Sequence, residues 1–340
     1  MRRAALAVPA VAACLALALA GCSKDQPKAA APTASASPSP TASATATAPA
    51  RDASLLSGRK GRRDGSVYAV KIDNTHSAHP QVGVDAADVV YVEEVEGGLT
   101  RLAAVFSSTY PKQVGPVRSG RISDIRLLRQ YGEVGLIYSG SQRKMIAPLQ
   151  RSSLHLVSFD ANGKGFSRAS GRPAPYNVIG DFATLRARAG KTSVPSKAPY
   201  AFGPAPAGGK AATHLSVRWP GAHLTATWSK SAERWLVSMD GSASRTPSGK
   251  RLGPQTFIVQ RVKVVKSKYV DVNRNPTPDS KTVGSGSALV LRDGRVYDAK
   301  WSRASDDDIT HWTIGGKEAV LSAGQVWVAL AGTTRTVSVR

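Results

Sequence analysis

The chain has two cysteines, Cys14 and Cys22, both within its first 22 residues. Everything after them must fold without a disulfide, a cysteine-held metal or a cysteine nucleophile, so stability has to come from ordinary apolar cores. The same stretch predicts where that folding happens. Arg2 and Arg3 precede an apolar run from Ala4 to Ala20 that closes on Leu19-Ala20-Gly21-Cys22. A basic start, a short apolar stretch and a small-small-cysteine ending read as a bacterial lipoprotein signal. Residues 1–21 are therefore expected to be a signal peptide and Cys22 the lipidated first residue of the mature chain. The run is too short for a comfortable membrane span. The expected location is the extracytoplasmic face of the cell membrane, held by lipid.

Export changes what the charge means. With 46 basic and 23 acidic side chains the formal net charge is +23, and outside the cytoplasm this points away from nucleic acid. An anionic envelope polymer, acidic lipid head groups or an envelope protein are the available partners. The positive charge is spread along the chain, so solubility accounts for it equally well, and nothing in the sequence gives an oligomeric state. Residues 22–63 are rich in Ala, Pro, Ser and Thr, with few large apolar side chains. Such a segment cannot bury a core, and it is expected to be a disordered tether.

Ordered sequence is expected from residue 64. Apolar alternation predicts strands over 66–73, 88–95 and 99–106, with Gly97-Gly98 as a two-residue hairpin turn that sets Glu94 opposite Arg101. Helical spacing follows over 119–131, then a strand over 133–138 and helices over 143–150 and 182–189. Residues 160–177 read as a long loop, and the Pro- and Gly-rich piece 194–209 as a connection between domains. Beyond it come short strands at 214–219, 224–228, 234–239, 256–266, 287–291, 295–302 and 325–331. The expected fold is an α+β or α/β N-terminal domain with a mixed sheet over 64–200, followed by a mainly β C-terminal domain over 201–340.

Four motifs carry a resemblance: Val70-Lys71-Ile72-Asp73-Asn74, Ala87-Asp88-Val89-Val90-Tyr91, Glu96-Gly97-Gly98-Leu99-Thr100-Arg101 and Gly115-Pro116-Val117-Arg118-Ser119. Together they resemble the YerB-type lipoproteins of Gram-positive bacteria, over nearly all of residues 66–331. The resemblance implies an exported lipoprotein built of an N-terminal and a β-rich C-terminal part. It implies no activity, because the family is one of domains of unknown function. The chain departs from the family pattern at Ala174-Pro175-Tyr176-Asn177, where Tyr176 stands in a position more often filled by His.

The chemistry has to come from the residues. Arg118-Ser119-Gly120-Arg121 lies at a predicted helix start, where free N–H groups, the helix dipole and two guanidinium forks favour phosphate or carboxylate. Gly120 would admit a ligand close to the main chain. Arg101 and Asn177 are expected to join this ligand-binding set. Internal pairing of Arg118 and Arg121 with Glu93, Glu96 or Asp124 accounts for the same residues, and both readings stand at this point. Glu96 and Asp124 are the candidates for acid/base work, in a hydrolase or transferase acting on envelope glycans or phosphodiesters. Other constellations are weaker. His76 and His79 lack a third metal ligand, Ser139-Gly140-Ser141 lacks a nucleophile elbow, and Asp306-Asp307-Asp308 lacks the spacing of a calcium loop. No cofactor and no metal are expected, and a non-catalytic ligand- or partner-binding module is the preferred function.

Overall fold

A computed structural model describes residues 52–340. The expected signal peptide, Cys22 and most of the expected tether lie outside the described residues. The tether's expected end at residue 63 is too late. Leu56, Ser54 and Ser57 have no exposed surface, and Ser57 Oγ donates to Asp88 Oδ1 at 2.9 Å. Ser54 Oγ and the Leu55 amide both bond the Asp64 carboxylate. One buried leucine within a polar run has no periodicity, so composition alone does not betray it.

Three strands make the centre: β1 (Tyr68–Asp73), β2 (Val89–Glu94) and β3 (Thr100–Phe106). All their residues are buried, and β3 lies antiparallel between the other two. The hairpin between β2 and β3 differs from expectation. Val95 and Leu99 belong to the turn, closed by Val95 N–H donating to Leu99 O at 2.8 Å, and Gly97 and Gly98 both adopt positive φ. The register is therefore Glu93 opposite Arg101 and Glu94 opposite Thr100. Shifting a strand by one residue moves its side chains to the other face, so Glu93 and Arg101 share a face while Glu94 points away and pairs with Arg335.

The expected division near residue 200 does not divide the sheet. Strand Val326–Gly332 pairs in parallel with β2 on one side and with the long strand Thr256–Val270 on the other. Strands Gly284–Arg292 and Arg295–Arg303 continue the same sheet outward. At its opposite end β1 pairs in parallel with Gly135–Tyr138, which pairs in parallel with His155–Ser158. A distinct N-terminal α/β domain is thus not what forms, because both halves of the chain contribute to one mixed sheet. The sequence pattern shows which segments are strands but not which strand neighbours which.

Both faces of this sheet are covered. Val70, Ile72, Val90, Val92 and Leu102 pack with Leu215, Val217, Leu224 and Trp235 of a separate five-stranded sheet. On the other face Ala69, Tyr91 and Ala103 pack with Leu127 and Leu128 of α1 (Ile122–Arg129), and with Met145 and Leu149 of α2 (Arg143–Gln150). A third helix, α3 (Phe182–Ala189), adds Phe182 and Leu185 to the first core. Strands Pro276–Lys281, His311–Ile314 and Thr336–Val339 complete the β part without having been expected.

The buried position of Leu56 gives a direct test of where folding begins. Leu56→Ala should destabilise the protein by about 2–4 kcal/mol, the usual result of emptying a leucine site in a core. Denaturant melts measure it, and a change below about 0.5 kcal/mol, as for an exposed site, would show that the segment is not packed.

Candidate functional site

Where β1, β2 and β3 run side by side, cross-strand partners share a face, so Asp73, Arg101 and Glu93 stand in one row. Lys71 stands one pleat behind Asp73 on the same face. These charges come close to the side of the sheet that α1 covers, near the carboxyl ends of the parallel strands β1 and Gly135–Tyr138. In sheets of mixed α/β type, such ends are where ligands are commonly received. Two loops meet there. Arg118 N–H donates to Lys71 O at 2.8 Å, Ser139 N–H to Arg118 O at 3.0 Å, and Gly120 N–H to Gly140 O at 3.1 Å. Gly140 has φ +86, and a side chain on it would meet Ser119 Oγ at 2.8 Å. The two loops can lie this close only because that position is glycine.

Most of the candidate residues are engaged with one another. Lys71 has no exposed surface and donates to Glu93 at 2.6 Å and to Asp124 at 2.7 Å, while Ser123 Oγ donates to the other Glu93 oxygen at 2.9 Å. Asp124 also accepts the Arg121 N–H at 2.6 Å. This corrects the expectation of an open anion trap at the helix start, because Asp124, the protein's own carboxylate, already caps it. Gly120 is likewise not an approach for a ligand. It faces the Tyr138 ring, with 3.4 Å left for a side chain.

Arg121 donates through Nη2 at 2.6 Å and Nε at 3.1 Å to Glu96. Thr277 Oγ1 bonds the other Glu96 oxygen and accepts Gln142 Nε2 at 2.7 Å. Thr277 comes from the hairpin of Thr256–Val270 and Pro276–Lys281, and Asp279 on that hairpin pairs with Arg126 of α1 at 3.1 Å. A segment from the C-terminal half therefore closes over residues of the N-terminal half. Arg118 Nε donates to Asp73 at 2.6 Å, and its guanidinium stands over the Tyr176 ring at 5.6 Å. The Asn177 carbonyl is taken by Arg168 at 2.8 Å. Ser119 offers its carbonyl to Arg101 Nη1 at 3.5 Å.

Arg101 is the exception. It keeps only 9% of its surface exposed, yet among the described residues it has no ion pair, and the long contact to Ser119 O is the one described hydrogen bond of its guanidinium. Burial, and then the like charges of Arg121 and Arg118, push it down to about 9, against the partial help of Asp73 and Glu96. A guanidinium does not give up its proton in a protein. What remains is a buried cation that lacks a counter-charge.

The carboxylates differ in the same way. Burial raises Glu96, but the Arg121 charge and the hydrogen bonds from Arg121 and Thr277 outweigh it and hold Glu96 below the usual range. Burial pushes Asp124 up to about 6, with repulsion from Glu93 adding to it and attraction to Lys71 opposing it. Burial alone would lower Lys71, but Asp124 and Glu93 together raise it. Two carboxylates on one ammonium explain why Lys71 holds its proton more tightly, while Asp124 does so because it is buried beside Glu93.

Sequence reasoning missed Lys71, Asp73, Gln142 and Thr277. A lysine within the apolar strand Val70-Lys71-Ile72 was a readable signal, since an all-buried strand must give that ammonium a partner. Thr277 carried no signal, as it arrives from 181 residues away. Ser141, set aside for want of a nucleophile elbow, has a buried hydroxyl with no partner among the described residues.

The fold and this charged cluster define a β-rich extended-sheet protein in which the C-terminal half completes a polar site of the N-terminal half. Residues 56–195 match the N-terminal domain, and residues 215–328 the C-terminal domain, of the family described as a protein of unknown function, DUF3048. The chain belongs to this family. It is 22% identical over 268 residues to the Bacillus subtilis (strain 168) protein named "Putative lipoprotein YerB", covering 76% of this chain and 79% of that one. The crystal structure of the YerB protein from Bacillus subtilis superimposes with a TM-score of 0.72 at 21% identity, covering 84% of this chain and 99% of that chain. That likeness bears on the fold.

The buried Asp124 carboxyl has a pH signature. A carboxyl raised from 3.8 to about 6 in the folded protein contributes stability that is present below pH 4 and lost as pH rises through 6. Asp124→Asn should remove that decline, on the order of 3 kcal/mol between pH 4 and pH 6. Denaturant melts across this range measure it, and an unchanged slope in the variant would show that Asp124 is not the titrating group.

Proposed function

We propose that the chain is a lipid-tethered lipoprotein of the extracytoplasmic membrane face, working as a non-catalytic module that binds an anionic ligand at Arg101. The single observation that carries this reading is a buried guanidinium with two others beside it and no acid of its own. Arg118 and Ser119 border the site, while Arg121 serves it indirectly by holding Glu96 in place. The ligand's carrier is an anionic envelope polymer or an envelope protein, in keeping with the net charge of +23. Acid/base catalysis fits less well. Asp124 has no exposed surface, and Glu96 is held ionised between Arg121 and Thr277.

Two arginine variants separate binding from support. Arg101→Gln removes an uncompensated buried charge, so the fold should be as stable as the parent or more so, and stabilisation by added sulfate should vanish. In the parent, that stabilisation should approach about 2.7 kcal/mol at a hundredfold excess over the dissociation constant. Arg121→Gln strands Glu96 and should lower stability by about 3–5 kcal/mol. Thermal melts with and without sulfate report both effects. Equal destabilisation by the two variants, with no response of the parent to sulfate, would retire the binding reading.

Anchoring is tested separately. Cys22→Ala should move the protein from the membrane fraction to the soluble fraction or leave its signal peptide attached. Fractionation with mass spectrometry of the mature N-terminus measures this, and an unmodified Cys22 in membrane-bound parent protein would overturn the anchor.

A further inference from the structure

The unfilled bonding capacity around Arg101 is larger than a single acid needs. Arg101 has its guanidinium free apart from the long contact to Ser119 O. Arg118 gives Nε to Asp73 and has no described bond from either Nη, so its outer edge, 20% exposed at the side chain, is also open. Asp73 is engaged elsewhere, its first oxygen with Arg118 and its second accepting from Thr75 N–H at 2.7 Å and from Thr75 Oγ1 at 2.6 Å. Arg101 and Arg118 are neighbours by geometry: Asp73, the cross-strand partner of Arg101, is bonded by Arg118 Nε, and Arg101 Nη1 reaches the carbonyl of Ser119, the next residue after Arg118.

We propose that the ligand group taken at Arg101 is a phosphomonoester end, a tetrahedral group with close to two negative charges, and not a carboxylate or a phosphodiester. This rests on the anion-binding reading above and names the chemistry of that same site. A phosphomonoester carries three strong acceptor oxygens and a charge near −2 at neutral pH. Two of the oxygens match the fork of Arg101, and the third is left for the Nη edge of Arg118. A carboxylate uses both oxygens and its single charge on one fork. A phosphodiester is also a monoanion, and it carries a substituent on each side. With only 9% of Arg101 reaching solvent, a group that approaches end-on is favoured over one flanked by substituents on both sides. Such an end occurs on a phosphorylated sugar or on a phosphatidate-type lipid head group.

The test titrates the folded protein calorimetrically with methyl phosphate, dimethyl phosphate and acetate, under conditions where methyl phosphate is a dianion. Methyl phosphate should bind at least about tenfold more tightly than the other two, a difference of about 1.4 kcal/mol. Arg101→Gln should abolish binding of all three. Arg118→Lys, which keeps a cation beside Asp73 but loses the fork, should bring methyl phosphate down toward acetate and leave acetate unchanged. Circular dichroism confirms that each variant is folded. If acetate or dimethyl phosphate matches methyl phosphate while Arg101→Gln still abolishes binding, the site is anionic and the phosphomonoester assignment is overturned. If none of the three binds the parent, the anion-binding reading fails with it. Sedimentation with phosphatidate or phosphatidylglycerol vesicles then distinguishes the source. Retention by phosphatidate alone assigns the lipid, and equal retention by both vesicles, which shows head-group charge and not a monoester end being read, overturns the assignment for lipids.

Discussion

The interaction on which the site depends is the burial of one ammonium. Lys71 sits on a strand with no exposed residue, and a charge there is tolerable only when paired. Its two partners come from different elements, Glu93 from β2 and Asp124 from α1. One side chain therefore ties β1, β2 and α1 to a common geometry. A slip of one residue would turn Lys71 toward Leu102, Leu215 and Trp235, where it would find only apolar surface. Buried ion pairs are poor sources of net stability, but they discriminate strongly against the wrong register.

Around that fixed point three arginines of similar sequence context have different fates. Arg121 meets Glu96 through two nitrogens, and removing it would leave a buried carboxylate alone. Arg118 meets Asp73 through one nitrogen and remains partly in solvent. Arg101 meets no acid. The distinction is one of geometry, because Arg101 lies in the central strand with Asp73 and Glu93 on either side, and both are already bonded elsewhere. Desolvation without compensation lowers stability, so Arg101 beside the crossing of the two loops is the residue of this cluster that the fold itself does not account for.

Much of the local structure was legible in the sequence. The segments over 143–150, 182–189, 214–219 and 234–239 form the expected elements over those residues, because period and punctuation are local properties. The hairpin at Gly97-Gly98 was legible as a turn but not in its register, since the choice between a two-residue and a five-residue turn is made by Val95 and Leu99 closing on each other. The cluster was half legible. Arg101, Arg118, Arg121, Glu96 and Asp124 were singled out, but which acid meets which base depends on pairings between distant segments. Asn177 illustrates the limit, because its side-chain carbonyl is taken by Arg168, which ends the strand Phe166–Arg168 formed within the stretch expected to be a loop. The joining of the two halves was not legible at all, as a parallel neighbour leaves no mark on either strand.

That joining has a consequence in time. One edge of β2 is covered by β3 as soon as the hairpin forms, but its other edge waits for a strand in which Val326 pairs with Val89. Nearly the whole chain must be synthesised before that edge is closed, and contacts so distant in sequence form slowly. Until then Val89-Val90-Tyr91-Val92 presents an open row of N–H and C=O groups on an apolar strand, the kind of surface on which chains associate wrongly. The order of synthesis and the order of the sheet are thus opposed, and the newly made chain is at its most vulnerable at the very strand that carries Glu93.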